Sequence, residues 1–325
     1  MLCSGKLMEM SRAIPLVDLS LFLSDKPADR ATFVKELGDS FRHIGFVGVK
    51  NHGVDPHLVA GFYAEAERFF SLPPELKEKY EIPGLAGQRG YTSFGKEHAK
   101  HSKVADLKEF FQIGQTVASD DPLKSEYPDN VKTVDVPEFA SLGDRLYKSF
   151  ELAGSHLLRA IALYLGLKED YFEEKILKGN SILRAIHYPP IIQEPSSAIR
   201  AEQHEDINLI TLLVGASAGG LQVLNLQGEW LEVIPGENEI VVNVGDMLQR
   251  LTNNLLISTT HRVVNPPRHL WHVPRLSIPF FLHPRSEMDL TCLPGCVSAD
   301  NPSHYDPITA GAYLDERLRE IGLKK

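Results

Sequence analysis

The stretch Gln-His-Glu-Asp-Ile-Asn-Leu-Ile-Thr-Leu-Leu-Val, residues 203–214, places a polar His-x-Asp sequence directly before an apolar run. The run 209–214 predicts a buried strand. In a strand, residues i and i+2 project from the same face, so the imidazole of His204 and the carboxylate of Asp206 can converge on one point. The stretch therefore predicts a β-rich core that carries two candidate metal ligands.

Further short runs of β-forming residues surround this stretch. Turn signals such as Gly219-Gly220 and Pro266-Pro267 separate them. The runs are residues 182–188, 221–224, 230–234, 240–244, 260–264 and 276–282. Several short strands in succession predict a sandwich or jelly roll rather than alternating strand–helix units.

Helical spacing of apolar residues dominates much of the remaining chain. Residues 31–46 show this spacing, and a short apolar run at 46–49 predicts one strand after them. Asp55 followed by Pro56 is typical of a helix start. The longest pattern covers 139–165, which is enough to brace a sheet. The predicted fold is α+β, with a double-stranded β-helix (jelly-roll) core braced by N-terminal and central helices.

The same patterns divide the chain into three parts. Residues 1–135 form a helical N-terminal region that packs on the core, 136–285 form the jelly-roll core with its bracing helix, and 286–325 form a C-terminal tail. We expect these parts to make one compact structural unit.

Composition excludes several classes of protein. A formal net charge of −9 argues against binding to nucleic acid, since nucleic-acid-binding domains usually carry a basic excess. No apolar stretch predicts a membrane span or a signal peptide, so we expect a cytoplasmic protein. The three cysteines, Cys3, Cys292 and Cys296, are too few for a disulfide framework, and we expect free thiols.

A third metal ligand has to come from another strand, and His261 lies in the predicted strand 260–264. Two histidines and one carboxylate on one face of a metal leave coordination positions open, which is typical of non-haem Fe(II) oxygenases. A second His-x-Asp sequence, His304-Tyr305-Asp306, precedes Pro307 near the end of the chain and has no histidine downstream of it. We interpret this second match as a surface turn.

An anion site follows the third ligand. Arg275 and Ser277 form an Arg-x-Ser sequence that places both side chains on one face of a predicted strand. A guanidinium beside a hydroxyl can hold both oxygens of a carboxylate. The ordered set His-x-Asp, His and Arg-x-Ser is much more specific than any of its parts and predicts a metal next to an anion site.

Motifs along nearly the whole chain resemble the isopenicillin N synthase-like group of Fe(II)/2-oxoglutarate-dependent oxygenases, including its bacterial members of unassigned substrate. They are Ile14-Pro-Leu-Val-Asp-Leu19, Asn51-His52-Gly53-Val54, Arg89-Gly90-Tyr91, Asp106-Leu-Lys-Glu-Phe-Phe111, Gly219-Gly-Leu-Gln-Val223, Val241-Val-Asn-Val-Gly-Asp246, His261-Arg262-Val263, Arg275-Leu-Ser-Ile-Pro-Phe280 and Pro307-Ile-Thr-Ala-Gly311.

The resemblance implies roles for particular residues. His204, Asp206 and His261 would bind Fe(II), and Arg275 and Ser277 would hold the distal carboxylate of the co-substrate 2-oxoglutarate. A separate position, Tyr188, matches a tyrosine that supports the same carboxylate in relatives. The implied reaction couples the oxidative decarboxylation of 2-oxoglutarate by O2 to hydroxylation, or another oxidation, of a C–H bond in a small molecule.

The substrate is not evident from these motifs. Arg89, Tyr91 and Phe111 lie in segments that border the substrate cavity in relatives, and Arg184 sits on a predicted strand that can face inward. The Lys-rich segment 96–103 is interpreted as a solvated face rather than a lid. Two alternatives remain open: an Fe(II)/O2 oxidase of the same family that does not use 2-oxoglutarate, and an inert binding scaffold. The oligomeric state is not predicted.

Overall fold

A computed structural model describes residues 14–85, 87–97, 105–195 and 197–320. Twelve strands and eight α-helices are present in this part of the chain. The helices are α1 (Leu19–Phe22), α2 (Pro27–His43), α3 (Pro56–Phe70), α4 (Pro74–Lys77), α5 (Pro137–Tyr164), α6 (Glu173–Ile176), α7 (Asp246–Leu251) and α8 (Ala310–Glu320).

Two facing sheets form the β core, as the predicted jelly roll requires. The larger one has eight strands in the order β1-β2-β10-β7-β12-β5-β4-β3, and the smaller one has four in the order β6-β11-β8-β9. The strands of the larger sheet are β1 (Leu16–Asp18), β2 (Phe46–Lys50), β3 (Gly90–Thr92), β4 (Glu109–Gly114), β5 (Ile182–Tyr188), β7 (Ile210–Val214), β10 (Ile240–Val244) and β12 (Arg275–Leu282). Those of the smaller sheet are β6 (Ala201–His204), β8 (Leu221–Leu224), β9 (Trp230–Glu232) and β11 (His261–Val263).

All the strands predicted from the sequence are present, and β5, β8 and β10 agree with the prediction at both ends. The N-terminal region contains more strands than predicted, since only the run 46–49 was expected to form one there. The first 135 residues contribute β1, β2, β3 and β4, which form both edges of the larger sheet. Three of these strands were missed because β1 and β3 are only three residues long and β4 is buried on both faces, so none shows an alternating pattern.

The helices cover one face of the larger sheet. In α5, Phe150 and Tyr147 contact Phe280 of β12, with ring centroids 5.6 and 5.0 Å apart. The main hydrophobic core lies between these helices and the sheet. The other face of the sheet is turned toward the smaller sheet, where polar side chains collect. None of the helices in the described ranges is long and apolar enough to cross a membrane.

The close approach of α5 to β12 depends on Gly154. A Cβ atom added at this position would lie 2.3 Å from Cδ1 of Leu282, whose side chain is itself buried. The glycine therefore sets the distance between the bracing helix and the strand that carries Arg275 and Ser277.

We expect Gly154→Ala to lower the free energy of unfolding by about 1–3 kcal/mol, because the overpacked methyl group outweighs the better helix propensity of alanine. Gly61→Ala in α3 is the matched control, since its nearest contact would be Leu142 Cδ1 at 3.5 Å. This control should be neutral or stabilising by up to ~1 kcal/mol. Urea unfolding of both variants measures the difference, and equal effects would contradict the packing argument.

Candidate active site

Three candidate metal ligands meet where the two sheets face each other. His204 ends β6 and His261 begins β11, and the two are register partners in the smaller sheet, with ring centroids 4.4 Å apart. Asp206 follows β6, and its Oδ1 lies 4.0 Å from Nε2 of His204 and 3.8 Å from Nε2 of His261. The three ligand atoms lie within 4.8 Å of one another, so a single ion can bind all three.

Backbone carbonyls orient both imidazoles. Nδ1 of His204 donates to the carbonyl of Glu202 at 2.7 Å, and Nδ1 of His261 donates to the carbonyl of Thr259 at 3.1 Å. A proton held on Nδ1 leaves the lone pair of Nε2 directed at the metal position. Both rings are therefore arranged as ligands.

Side chains of the larger sheet hold the second oxygen of the Asp206 carboxylate. Oδ2 of Asp206 accepts hydrogen bonds from the hydroxyl of Thr211 at 2.6 Å and from the amide of Asn243 at 2.8 Å. These two residues are register partners on β7 and β10. Oδ2 is thus occupied by the sheet, while Oδ1 faces the two histidines.

The electrostatics suit a divalent cation. Burial acts to raise the pKa of Asp206, but the imidazoles of His261 and His204 and the two hydrogen bonds to Oδ2 outweigh it and keep that pKa below the ordinary value. Burial, with a smaller effect of His261, lowers the pKa of His204. Near neutral pH the site therefore holds a charged carboxylate beside a neutral His204, which are the protonation states that metal binding needs.

A cavity of about 760 Å³ opens beside this cluster. Its wall includes a period-two series along and just beyond β12, which consists of Arg275, Ser277, Pro279, Phe281 and His283. Because alternate residues of a strand share a face, the side chains of this series lie next to one another along the cavity wall.

Arg275 and Ser277 begin this series, and both are buried. Nε of Arg275 donates to the carbonyl of Ala218 at 3.0 Å, whereas its NH1 is buried without a hydrogen-bond partner among the described residues. The guanidinium carbon lies 5.1 Å from the ring centre of Tyr188, another cavity residue. An unpaired guanidinium nitrogen, a hydroxyl and a phenol in one pocket fit a carboxylate.

The predicted substrate residues divide into two groups. Arg184 lines the cavity, whereas Arg89, Tyr91 and Phe111 do not. Phe111 packs on Phe69 in the helix-side core, with ring centroids 5.0 Å apart. The phenol of Tyr91 donates to the buried carboxylate of Glu109. The guanidinium of Arg89 is buried and donates to the carbonyl of Gln88.

The expectation that these three residues face the substrate is therefore corrected. For Phe111 and its register partner Tyr91 it fails because a strand turns alternate residues to opposite faces, and the cavity side of β4 belongs to Gln112. Arg89 precedes β3, so this rule does not apply to it.

Four charged side chains of the cavity wall pair with one another, and the sequence analysis missed three of them. Nζ of Lys108 lies 2.7 Å from Glu97 and 2.8 Å from Asp106, and NH1 of Arg184 lies 3.3 Å from Glu97. Nε of Arg184 donates to Gln112 at 2.9 Å. Burial acts to raise the pKa of Glu97, but Arg184 and Lys108 outweigh it and lower that pKa to about 2. Because β4 is buried on both faces, no alternation in the sequence identified Gln112, or Lys108 just before the strand, as cavity residues.

Other candidates from the sequence lie away from the cavity. His304 of the second His-x-Asp sequence hydrogen-bonds to Oδ1 of Asn301 at 2.9 Å, and the only possible metal cluster among the described residues is the one at His204. Cys292 and Cys296 are free thiols, as predicted, and Cys3 lies outside the described residues. In the segment 96–103, Lys96 pairs with Glu81, and residues 98–103 lie outside the described part.

Comparisons with known proteins agree with this geometry. The family model of the non-haem dioxygenase in morphine synthesis N-terminal region matches residues 14–133, and the model of the 2OG-Fe(II) oxygenase superfamily matches residues 179–284. A proline hydroxylase of Petromyces alliaceus is 33% identical over 318 residues, which cover 93% of this chain and 97% of that protein.

The chain belongs to the 2OG-Fe(II) oxygenase superfamily.

Solved structures of the superfamily extend the likeness to three dimensions. A family protein from Caulobacter crescentus is 42% identical, with a TM-score of 0.86 and coverage of 96% of this chain and 100% of that chain. A full-length protein of Neurospora crassa, solved in complex with alpha-KG and thymine, is 31% identical, with a TM-score of 0.82 and coverage of 96% and 97%. The predicted jelly roll and the predicted family are thereby confirmed.

Membership in the 2OG-Fe(II) oxygenase superfamily establishes the class of reaction. The protein is an oxidoreductase that uses Fe(II), 2-oxoglutarate and O2, and His204, Asp206 and His261 form its metal-binding triad. Oxidation of a substrate is coupled to the oxidative decarboxylation of 2-oxoglutarate. The predicted cofactors are confirmed.

We expect Asp206→Asn to weaken Fe(II) binding by more than about 100-fold, because it removes the only anionic ligand of the triad. Asp306→Asn, the same change in the second His-x-Asp sequence, should leave Fe(II) affinity unchanged. Anaerobic Fe(II) titration followed by calorimetry measures both. A similar loss in the two variants would show that the triad does not bind the metal.

Thr211→Val tests the support of the carboxylate. It keeps the shape of the side chain but removes the donor to Oδ2 of Asp206, so Fe(II) affinity should fall by about 10–100-fold. The same titration measures it, and Thr291→Val, at an exposed hydroxyl that bonds only within its own turn to Asp289, is the control. An unchanged affinity in Thr211→Val would contradict the positioning role.

Proposed function

We propose that Arg275, Ser277 and Tyr188 hold the distal carboxylate of 2-oxoglutarate. The observation that carries this assignment is the buried NH1 of Arg275, which lacks a partner in the described chain although it lies in the cavity that contains the triad. A buried guanidinium nitrogen without an acceptor is costly, and a ligand carboxylate supplies the acceptor that is missing. The neighbouring hydroxyl of Ser277 adds a second donor.

The two halves of the site then have separate tasks. Bound Fe(II), with 2-oxoglutarate and O2, supplies the oxidising chemistry. The triad would hold the metal at the wall of the cavity, because His204, Asp206 and His261 all line it. Arg275 and Ser277 fix one end of the co-substrate, and the buried wall of β12 limits the access of water to it.

The substrate is a small molecule with an oxidisable C–H bond and a polar group that Arg184 contacts. Arg184 is the only one of the predicted substrate residues that lines the cavity, and its guanidinium lies 4.3 Å from the ring centre of Phe110. The thymine bound to the Neurospora protein and the proline hydroxylase among the relatives support a small polar substrate. Hydroxylation is the reaction proposed for it.

The binding of 2-oxoglutarate provides the test. Anaerobic addition of 2-oxoglutarate to the Fe(II)-loaded protein should give the visible charge-transfer band of the chelate. Arg275→Ala should raise the Kd of 2-oxoglutarate, read from this band, by at least about tenfold, because a charge-assisted contact is lost.

Arg262→Ala is the matched control for this prediction. Arg262 follows the ligand His261, but its side chain contacts Trp230 and Gln222 rather than the cavity. We expect its Kd for 2-oxoglutarate to equal that of the unaltered protein. If Arg275→Ala also binds 2-oxoglutarate normally, the assignment of the carboxylate site is wrong.

A further inference from the structure

His283 continues the cavity-facing series of β12 beyond Phe281. The residue is only 8% exposed, and its Nδ1 is buried without a hydrogen-bond partner in the part of the chain that the structure describes. A buried histidine that serves only as core packing normally has its ring nitrogens satisfied. Because His283 lines the cavity, a bound molecule can supply the partner that its Nδ1 lacks.

The ring of His283 also lies near two charged residues of the cavity. Two charged groups act on the imidazole of His283, namely the metal ligand Asp206 and the guanidinium of Arg184. The ring thus lies within electrostatic reach of both the metal site and the residue proposed to contact the substrate. All three residues line the same cavity.

The imidazole is neutral at physiological pH. Burial lowers the pKa of His283 to about 4, and the opposing effect of Asp206 is smaller. A neutral imidazole can donate one hydrogen bond and accept another, so it suits carbonyl, amide and hydroxyl groups.

The charge of Arg184 is balanced within the cavity wall. Lys108 and Arg184 are paired with Glu97 and Asp106, so two cations meet two carboxylates within the wall. An ionised substrate would have to break one of these pairs in a buried site, which is costly. The ring centre of Phe281 lies 5.2 Å from the guanidinium of Arg184, so an aromatic ring lies beside the group proposed to contact the substrate.

We propose that His283 is a substrate-positioning residue that, with Arg184, hydrogen-bonds the polar edge of an uncharged, planar substrate such as a ring amide. This inference rests on the proposed function and deepens it. Phe281 stacks on the ring, and the contact with His283 sets which C–H bond of the substrate faces the metal.

Calorimetry with thymine, the uncharged ring amide, and orotate, its carboxylated analogue, tests the proposal on the full chain loaded with Fe(II) and 2-oxoglutarate without O2. The unaltered protein should bind thymine and should bind orotate at least about tenfold more weakly. His283→Leu should weaken thymine binding by about tenfold, as expected for the loss of one hydrogen bond. His283→Asn, which restores a donor and an acceptor, should recover most of the affinity.

His156→Leu is the matched control. His156 lies on α5, and its Nδ1 is also buried without a partner among the described residues, but it does not line the cavity. Its thymine affinity should equal that of the unaltered protein. If His283→Leu proves unfolded by circular dichroism, His283→Phe replaces it, because this variant fills the space with a ring that has no donor or acceptor. It should weaken thymine binding by about tenfold, and an unchanged affinity would overturn the positioning role.

The outcomes separate the two proposals. Thymine binding that is unchanged in His283→Leu overturns the positioning role. Orotate binding as tight as that of thymine, or no binding of thymine, overturns the uncharged substrate class while the charge-transfer band leaves the proposed function intact. If Fe(II) and 2-oxoglutarate give no band, both proposals fail together.

Discussion

The carboxylate of Asp206 joins the two sheets at the metal site. Its Oδ2 is held by Thr211 and Asn243 of the larger sheet, and its Oδ1 faces the imidazoles of the smaller sheet. Because both oxygens are engaged in a buried place, a shift of either sheet would leave a charge without partners, which is costly. The relative position of the sheets and the geometry of the ligands are therefore one constraint.

The alternation of side chains along β12 sets the positions of the other groups in the cavity. Successive cavity-facing residues of β12 begin with Arg275 and Ser277 and end with Phe281, so the carboxylate site and the substrate wall are spaced by the strand rise. The opposite face of the same strand packs on α5 through Phe280. A rigid helix behind the strand keeps the spacing constant, and this is what a reaction between two bound small molecules requires.

The sequence was most informative where a residue pattern and its chemistry coincide. His204 and Asp206 could be placed on one face because a strand repeats every two residues, and Arg275 with Ser277 follows the same rule. The rule failed at Phe111, which lies on the face of β4 opposite the cavity. A one-residue difference in register exchanges the two faces of a strand. Because every residue of β4 is buried, its sequence does not show which face lines the cavity. Contacts such as the pair of Glu97 and Arg184 join distant segments and have no sequence signature.

The residues of the metal and carboxylate sites differ from those of the substrate wall in how substitutions affect them. The triad and Arg275 are fixed by backbone carbonyls and by hydrogen bonds within the sheets, so their geometry depends on main-chain positions that most substitutions preserve. The substrate wall depends instead on side chains that satisfy one another, as Lys108, Glu97 and Arg184 do. Changing one of them alters the charge that the cavity presents without moving the metal. The same scaffold can therefore keep its oxidising chemistry while its substrate changes, which fits relatives as different as a proline hydroxylase and a protein solved with bound thymine.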